Sequence, residues 1–282
     1  MMWLKLWLRD ALAIAVWSVR PLLRRAPRRA GVRILVYHTL AELPPRQDRG
    51  RMSVPPALFA AQLRWLQQQA YSVVGLDEAF EMIQGLRPIP PKAVAITFDD
   101  GFADTFSRAY PLLKDAGWPA AAFVVSGSVG QSGTFPWLGT RTKFGRPMTW
   151  EELEALSGDR RITIGSHGWS HRKLSALPAH EQQEEIERSQ HTLVERLGHP
   201  VTWFAYPYGQ HGSFSDETVA CLKTLGFRAA CANVMGLNYA GDSPWTLRRT
   251  RIGWEDRLWR FRLKMDGAYD WIDAWRSSWR RT

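Results

Sequence analysis

Short runs of consecutive apolar residues alternate along this chain with longer segments whose apolar residues recur every three or four positions. The runs are VRILVYH (32–38), YSVVGL (71–76), AVAITF (93–98), AAAFVVS (120–126), RITIGS (161–166), VTWFAY (201–206), FRAACANV (227–234) and WTLRRTRI (245–252). Continuous apolar runs of this length predict strands buried on both faces, and the longer periodic segments predict helices that cover them. PPALFAAQLRWLQQQA opens with proline near its first turn and carries the stripe Phe59, Leu63, Leu66 and Ala70. ADTFSRAYPLLKDAG and PAHEQQEEIERSQHTLVERLG end at Gly117 and Gly198, each in the place of a C-terminal cap. Seven or eight strand–helix units make an α/β fold, and they suit a closed or nearly closed parallel barrel better than an open sheet.

Composition adds a core and removes some function classes. Hydrophobic residues make up 45% of the 282, which excludes wholesale disorder. Two cysteines, Cys221 and Cys231, are too few for a disulfide scaffold and read as small core residues. The net charge of +10 sits at the ends. Residues 1–33 carry eight Lys/Arg against one Asp, and residues 247–282 carry ten against five acids, so the stretch between is slightly acidic. A nucleic-acid enzyme would spread its positive charge around a groove, and none is expected here.

Tryptophan accompanies the terminal charge, at Trp3, Trp7 and Trp17 and again at Trp254, Trp259, Trp271, Trp275 and Trp279. Arginine with tryptophan suits a segment resting on lipid headgroups, and equally two solvated helices with aromatic packing faces. The uncharged core of the first helix, Ala11 to Val19, is too short to span a bilayer. The arginines from Arg20 to Arg29 oppose translocation of the chain beyond them. The expectation is a membrane-associated protein, peripheral or weakly anchored at its N-terminus, on the cytoplasmic face, with both termini touching the membrane. The implied organisation is a basic Trp-rich N-terminal helix and linker (1–31), a central α/β domain (32–253) and a basic Trp-rich C-terminal helical extension (254–282).

In a barrel the chemistry belongs at the C-terminal strand ends. Those ends read His38, Asp99-Asp100, Ser166-His167 and the turn Tyr206-Pro207-Tyr208-Gly209. Adjacent carboxylates repel unless a cation or a proton relieves them. SHGWSH places His167 and His171 four apart, which on a turn of helix would bring both imidazoles to one face. Two histidines and one aspartate make a three-ligand set with an open position. The other aspartate would remain a free carboxylate beside that position, placed as a general base.

At these residues the chain resembles the NodB-homology polysaccharide deacetylases, carbohydrate esterase family four. TFDDG (97–101) and SHGWSH (166–171) match that family's first two motifs, and FAYPYG (204–209) is similar to its third. The resemblance runs from about Val32 to Ile252 and is nearest to the deacetylases of poly-N-acetylglucosamine. It implies a distorted (β/α) barrel of about seven strands and metal-dependent removal of acetyl groups from N-acetylated sugars. It also implies Asp99 as the base, Asp100, His167 and His171 as ligands of one divalent ion, and the Tyr208 backbone N–H as a partner of the oxyanion. Zn²⁺ suits such a nitrogen and oxygen ligand set best.

Two departures stand out. The arginine usual in the third motif is Ala205, and no histidine follows His211 to serve as the late general acid. Arg249 and Arg251 alternate onto one face of the last strand and could replace the arginine, with Arg249 preferred. His38 could protonate the leaving amine, its bland alternative being a hydrogen-bonded structural histidine. The long loop GSVGQSGTFPWLGTRTKFGRPM (127–148) has the length of a functional lid. Its Trp137, with Tyr206 and Pro207, is expected to contact sugar, although the loop's rings could simply pin it to the barrel. The substrate is expected to be an N-acetylhexosamine in a glycan or lipid-linked saccharide. The competing readings are a deacylase of a small amide or formamido sugar, and a degenerate membrane-docked saccharide-binding protein.

Overall fold

The computed structural model describes residues 2–19, 29–48, 50–139 and 144–271. After α1 (Met2–Val19) come β1 (Arg33–Tyr37), α2 (Pro56–Gln68), β2 (Ser72–Val73), α3 (Leu76–Ile83) and β3 (Ala93–Phe98). The middle of the chain gives α4 (Tyr110–Asp115), β4 (Ala120–Val124), α5 (Trp150–Ser157), β5 (Ile162–Ser166) and α6 (Ala179–Leu197). The last third gives β6 (Trp203–Ala205), α7 (Asp216–Thr224), β7 (Ala229–Cys231), β8 (Arg249–Arg251) and α8 (Leu258–Met265). The run expected as a strand over 71–76 shrinks to the two residues of β2, because Gly75 already caps α3. A π-helical segment, Thr105–Ala109, precedes α4, where Pro111 has no N–H to give the turn before it.

The strands run in the order β7-β6-β5-β4-β3-β1-β8, all parallel, with β2 paired to the start of β3. Backbone bonds carry the sheet across the remaining seam. Ala232 N–H donates to the Leu247 carbonyl at 2.8 Å, Leu247 N–H to Ala230 at 3.0 Å and Arg249 N–H to Val234 at 2.9 Å. The result is the nearly closed seven-stranded barrel expected from the strand–helix alternation.

Period-two alternation along each strand decides which side chains enter the barrel. Leu35, Tyr37, Val94, Ile96 and Phe98 point outward and pack under the helices with Phe59, Leu63 and Leu66 of α2. Ile34, Ala95, Ala121, Phe123, Trp203, Ala205 and Ala229 point inward. The inward series on β3 continues Ala93, Ala95, Thr97 and then Asp99, so the first aspartate of the pair is delivered to the barrel's upper interior. Arg249 lies opposite Ile34, and Ile34 opposite Ala95, so the guanidinium need only climb along the interior to reach Thr97 and Asp99.

The first and last described helices meet. Asp10 of α1 accepts from Arg260 of α8 and, at 2.9 Å, from the Tyr269 hydroxyl. Arg33 is buried and forks onto Asp270 with two bonds of 2.9 Å. Leu6, Asp10 and Ala13 are buried on this side of α1, where the half-exposed Trp17 donates to Asp266 at 3.2 Å, while Trp7, Leu8, Leu12 and Ile14 are exposed on the other. The membrane-associated expectation is overturned here. Among the described residues no helix is long and apolar enough to cross a membrane. Arg9 and Asp10 interrupt the apolar run of α1, and Asp10 is spent on contacts within the protein. The arginines at 20–28 and the tryptophans Trp275 and Trp279 lie outside the described residues.

Gly165 of β5 leaves no room for a side chain in the barrel interior. A Cβ there would stand 2.5 Å from the Phe123 ring and 3.0 Å from the Trp203 carbonyl oxygen. The Arg249 guanidinium lies over that same Phe123 ring, 5.5 Å from its centroid. Gly165→Ala is therefore expected to destabilise the protein by about 1–3 kcal/mol through overpacking. Urea unfolding checks this, and an unchanged midpoint would show that Phe123 has room to move.

Candidate active site

The two adjacent aspartates part company at the end of β3. Asp99 keeps the strand's course, its N–H donating to the Tyr37 carbonyl at 2.9 Å. Asp100 and Gly101 turn with φ of 73° and 87°. A left-handed backbone costs a non-glycine residue roughly 1 kcal/mol or more. Here it swings the Asp100 carboxylate across the rim toward β5. Gly101 has no such cost, and a Cβ there would stand 3.1 Å from Val124.

His167 follows β5 directly. Its N–H donates to the Val124 carbonyl at 2.9 Å, and its Nδ1 donates to the Ala205 carbonyl at 2.7 Å. That second bond fixes the tautomer and leaves Nε2 facing Asp100 Oδ1 at 3.5 Å. His171 Nε2 faces the same oxygen at 3.4 Å. The spacing of four is not helical as the sequence suggested. Gly168 and His171 have φ of 79° and 61°, and this left-handed loop folds the second imidazole back onto the first. One ligand atom from each of Asp100, His167 and His171 lies within 4.8 Å of the other two, and all three residues are buried.

Both oxygens of Asp100 are buried and accept no hydrogen bond. A buried carboxylate in that state is costly, and a divalent cation between it and two imidazoles removes the cost. The donor set therefore fits such an ion. Burial pushes the Asp100 pKa up, but the facing imidazoles of His167 and His171 bring it down to about 2. Burial lowers His171 to about 4 against the pull of Asp100. At His167 burial also disfavours the imidazolium, yet Asp99 and Asp100 outweigh it and hold the pKa above its ordinary value.

Asp99 has a different partner. Arg249 donates to it from Nη1 and Nη2 at 2.7 Å each, and both side chains are buried. The same guanidinium donates from Nε to the Ala232 carbonyl at 3.0 Å and from Nη1 to Thr97 Oγ1 at 3.3 Å. Burial raises the Asp99 pKa, and Arg249 more than reverses it, so the carboxylate stays ionised. Arg251, on the same side of β8, is engaged instead with the Gly50 and Arg51 carbonyls, to which it donates at 3.0 and 2.7 Å.

These groups open into one cavity of about 860 Å³. His38 lines it, buried, with a Nδ1 that has no hydrogen-bond partner and a pKa that burial lowers against Asp100 and Asp99. Trp137 lines it and stacks on His171 at 4.3 Å between ring centroids. Phe135 and Phe144 of the same loop instead pack against Phe102 beneath it. Tyr208, at φ 63°, exposes its ring beside His171. The Tyr206 ring is buried against Phe214, and its hydroxyl donates to the Trp245 carbonyl at 2.9 Å. The Pro207 carbonyl accepts the Gly209 N–H at 2.8 Å within the turn. Arg9, Arg51 and Asn233 also line the cavity, and no motif or strand-end position in the sequence marks them.

The chain matches the family model described as polysaccharide deacetylase over residues 87–230, about half its length. It is 26% identical over 219 residues to a putative polysaccharide deacetylase of Bacillus subtilis, YxkH, covering 78% of this chain and 70% of that one. It is 28% identical over 218 residues to the poly-beta-1,6-N-acetyl-D-glucosamine N-deacetylase of Escherichia coli K12. That match takes in 64% of this chain but only 31% of the relative, which is far longer. Among solved structures, IcaB from Ammonifex degensii superposes with a TM-score of 0.72 at 26% identity, over 86% of this chain and 98% of that one. The Streptococcus pyogenes deacetylase PplD, solved with acetate, superposes at 0.71 over 84% and 99%, and at 22% identity shares the fold.

The His171 shift has a sign that can be measured. Its imidazole takes a proton at about 4 in the folded chain, against 6.5 unperturbed. The unfolded chain therefore protonates first as pH falls, and the contribution of His171 to stability is full above 6.5 and lost toward about 4. His167, raised, has the opposite sign. In chelator-treated protein, stability lost between about pH 7 and about pH 5 should be larger in the wild type than in His171→Gln. Equal losses in the two urea titrations would refute the shift.

Proposed function

The chain belongs to the polysaccharide deacetylase family, and from that premise we propose that it is a metal-dependent hydrolase of the N-acetyl amide of an N-acetylhexosamine in a glycan or lipid-linked saccharide. One observation carries the reading. A buried carboxylate without a hydrogen-bond partner faces two imidazoles, one residue from a second carboxylate that Arg249 keeps ionised. A binding module has no use for that second group; amide hydrolysis does.

Asp100, His167 and His171 would hold the ion, and Zn²⁺ suits their two nitrogens and one oxygen with a position left open. Once bound, the ion supplies Lewis acidity that polarises the acetyl carbonyl and makes water acidic. Asp99 takes the proton from the attacking water. Arg249 restrains it in two bonds, which orients the carboxylate and keeps it from competing for the cation. Within the tetrahedral species the Tyr208 backbone N–H donates to the oxyanion. The C–N bond then breaks, and the proton that Asp99 took from water passes to the departing nitrogen through His38, a buried rim imidazole that rests neutral with an unengaged nitrogen to receive it. Trp137 gives a sugar ring a flat apolar wall, with Tyr206 and Pro207 shaping the opposite turn. We take residues 32–253 as the catalytic unit, with α1 and α8 of the flanking segments packed against it.

The metal-loaded protein should release acetate from N-acetylglucosamine oligomers and stop when chelated; no acetate under either condition would defeat the reading. Asp99→Asn is expected to keep its metal and lose roughly 10²–10⁴-fold in rate. Asp100→Ala should lose the metal itself. If metal analysis gave the reverse pattern, the two aspartates would exchange roles. His38→Gln should keep metal and fold while losing most turnover, and near-normal kcat would return His38 to a structural part.

A further inference from the structure

One wall of the cavity is made of arginines that the hydrolysis of a neutral amide does not use. Arg9 reaches it from α1, Arg51 from the loop after β1, and Arg251 from the end of β8. Arg251 Nη1 donates to the Arg51 carbonyl at 2.7 Å, and both guanidinium groups lean on one carboxylate oxygen of Glu255, at 3.3 and 3.1 Å. Other nearby carboxylates are already committed. Asp256 is paired with Lys264 at 2.6 Å, and Asp10 serves Arg260 and the Tyr269 hydroxyl.

Arg9 is left nearly unsupported. It lies 3.7 Å from the engaged Asp10 and 5.3 Å from the centroid of the Tyr269 ring. Its Nε and Nη2 are shielded from solvent and donate to nothing. Such donors cost free energy unless a partner arrives. Arg51 holds a left-handed backbone, φ 55°, at the cavity's edge. Burial and the neighbouring Arg251 lower its pKa, Arg9 adds to that, and Glu255 only partly offsets them. The protein has gathered more positive charge on this wall than it neutralises. Arg249, by contrast, is matched by Asp99.

We infer that the substrate carries an oxyanion, a phosphate or a carboxylate attached to the saccharide, and that Arg9, Arg51 and Arg251 bind it while the acetamido group lies at Asp99 and Asp100. Forked guanidinium donors suit phosphate and carboxylate equally, so the shared chemistry is the oxyanion itself. The inference rests on the deacetylase reading of the same cavity. It also gives α1 a part in the site: the helix that packs on α8 supplies one of the three cations.

The test uses the full chain, loaded with zinc, and three matched ligands: a neutral N-acetylglucosamine disaccharide, its 1-phosphate, and an N-acetylglucosamine–glucuronate disaccharide. Calorimetric Kd and acetate release are measured for each. One or both anionic ligands should bind and react about tenfold or more better than the neutral one, and which of them does so identifies the source of the charge. The preference should shrink in Arg9→Gln, shrink further in Arg9→Glu, and fade as salt rises from about 0.05 to about 0.5 M. Arg51→Gln is the second variant and should act in the same direction. Equal Kd for all three ligands, or a preference undiminished in both Arg9 variants and in Arg51→Gln, overturns the inference even if acetate is released. Arginine-dependent binding of an anionic ligand without acetate release upholds it and sinks the deacetylase reading instead.

Discussion

The site depends on the buried ion pair between Asp99 and Arg249. Two adjacent carboxylates at one strand end would otherwise share any bound cation and share any proton, and neither could have a distinct task. Two bonds of 2.7 Å to a guanidinium inside the barrel make the first aspartate a fixed, ionised acceptor. The second is left without donors and faces the histidines. Such a pair stays favourable in a dry interior only if its remaining donors are satisfied. The Ala232 carbonyl and the Thr97 hydroxyl meet that requirement, and Thr97 in turn donates to Leu35 at 2.8 Å. Small inward side chains, Ala95, Ala121, Ala205 and Ala229, leave space for the arginine and for Phe123 beneath it.

Backbone strain gathers at the same rim. Among the described residues, six that are not glycine have positive φ, and Arg51, Asp100, His171 and Tyr208 all line the cavity. Each persists because its surroundings over-determine it. Asp100 must leave the strand direction within one residue. His171 must fold back without a helix to carry it. The strain is where side chains from the ends of β3 and β5 are made to converge.

Much of this was legible in the sequence because it comes from period and position. Buried strands announce themselves as apolar runs, and alternation alone places Arg249 and Arg251 on one face of the last strand. The Asp, Asp and H-x-x-x-H residues were readable from their place at strand ends. The features that escaped have a common cause. The helical geometry expected between His167 and His171 failed because Gly168 and His171 adopt left-handed conformations that no pattern of polarity encodes. The membrane expectation failed because terminal composition says nothing about which interior surface a helix will find, and here α1 found α8. Arg9 and Arg51 went unread for the same reason: their place is set by long-range packing and by one turn, not by spacing along the chain.

The residue that pairs with Asp99 stands 150 positions after it, and β8 is the last strand to join. During synthesis the first six barrel strands can assemble while Asp99 is still without its counter-charge and β1 still has an open edge. Contacts between such distant parts of a chain form late, since the loop between them must be closed before any of them is rewarded. The order of synthesis thus keeps the reaction centre incomplete until the barrel is. A chain halted before Arg249 would retain every residue of the two sequence motifs and still lack the group that tells the two aspartates apart.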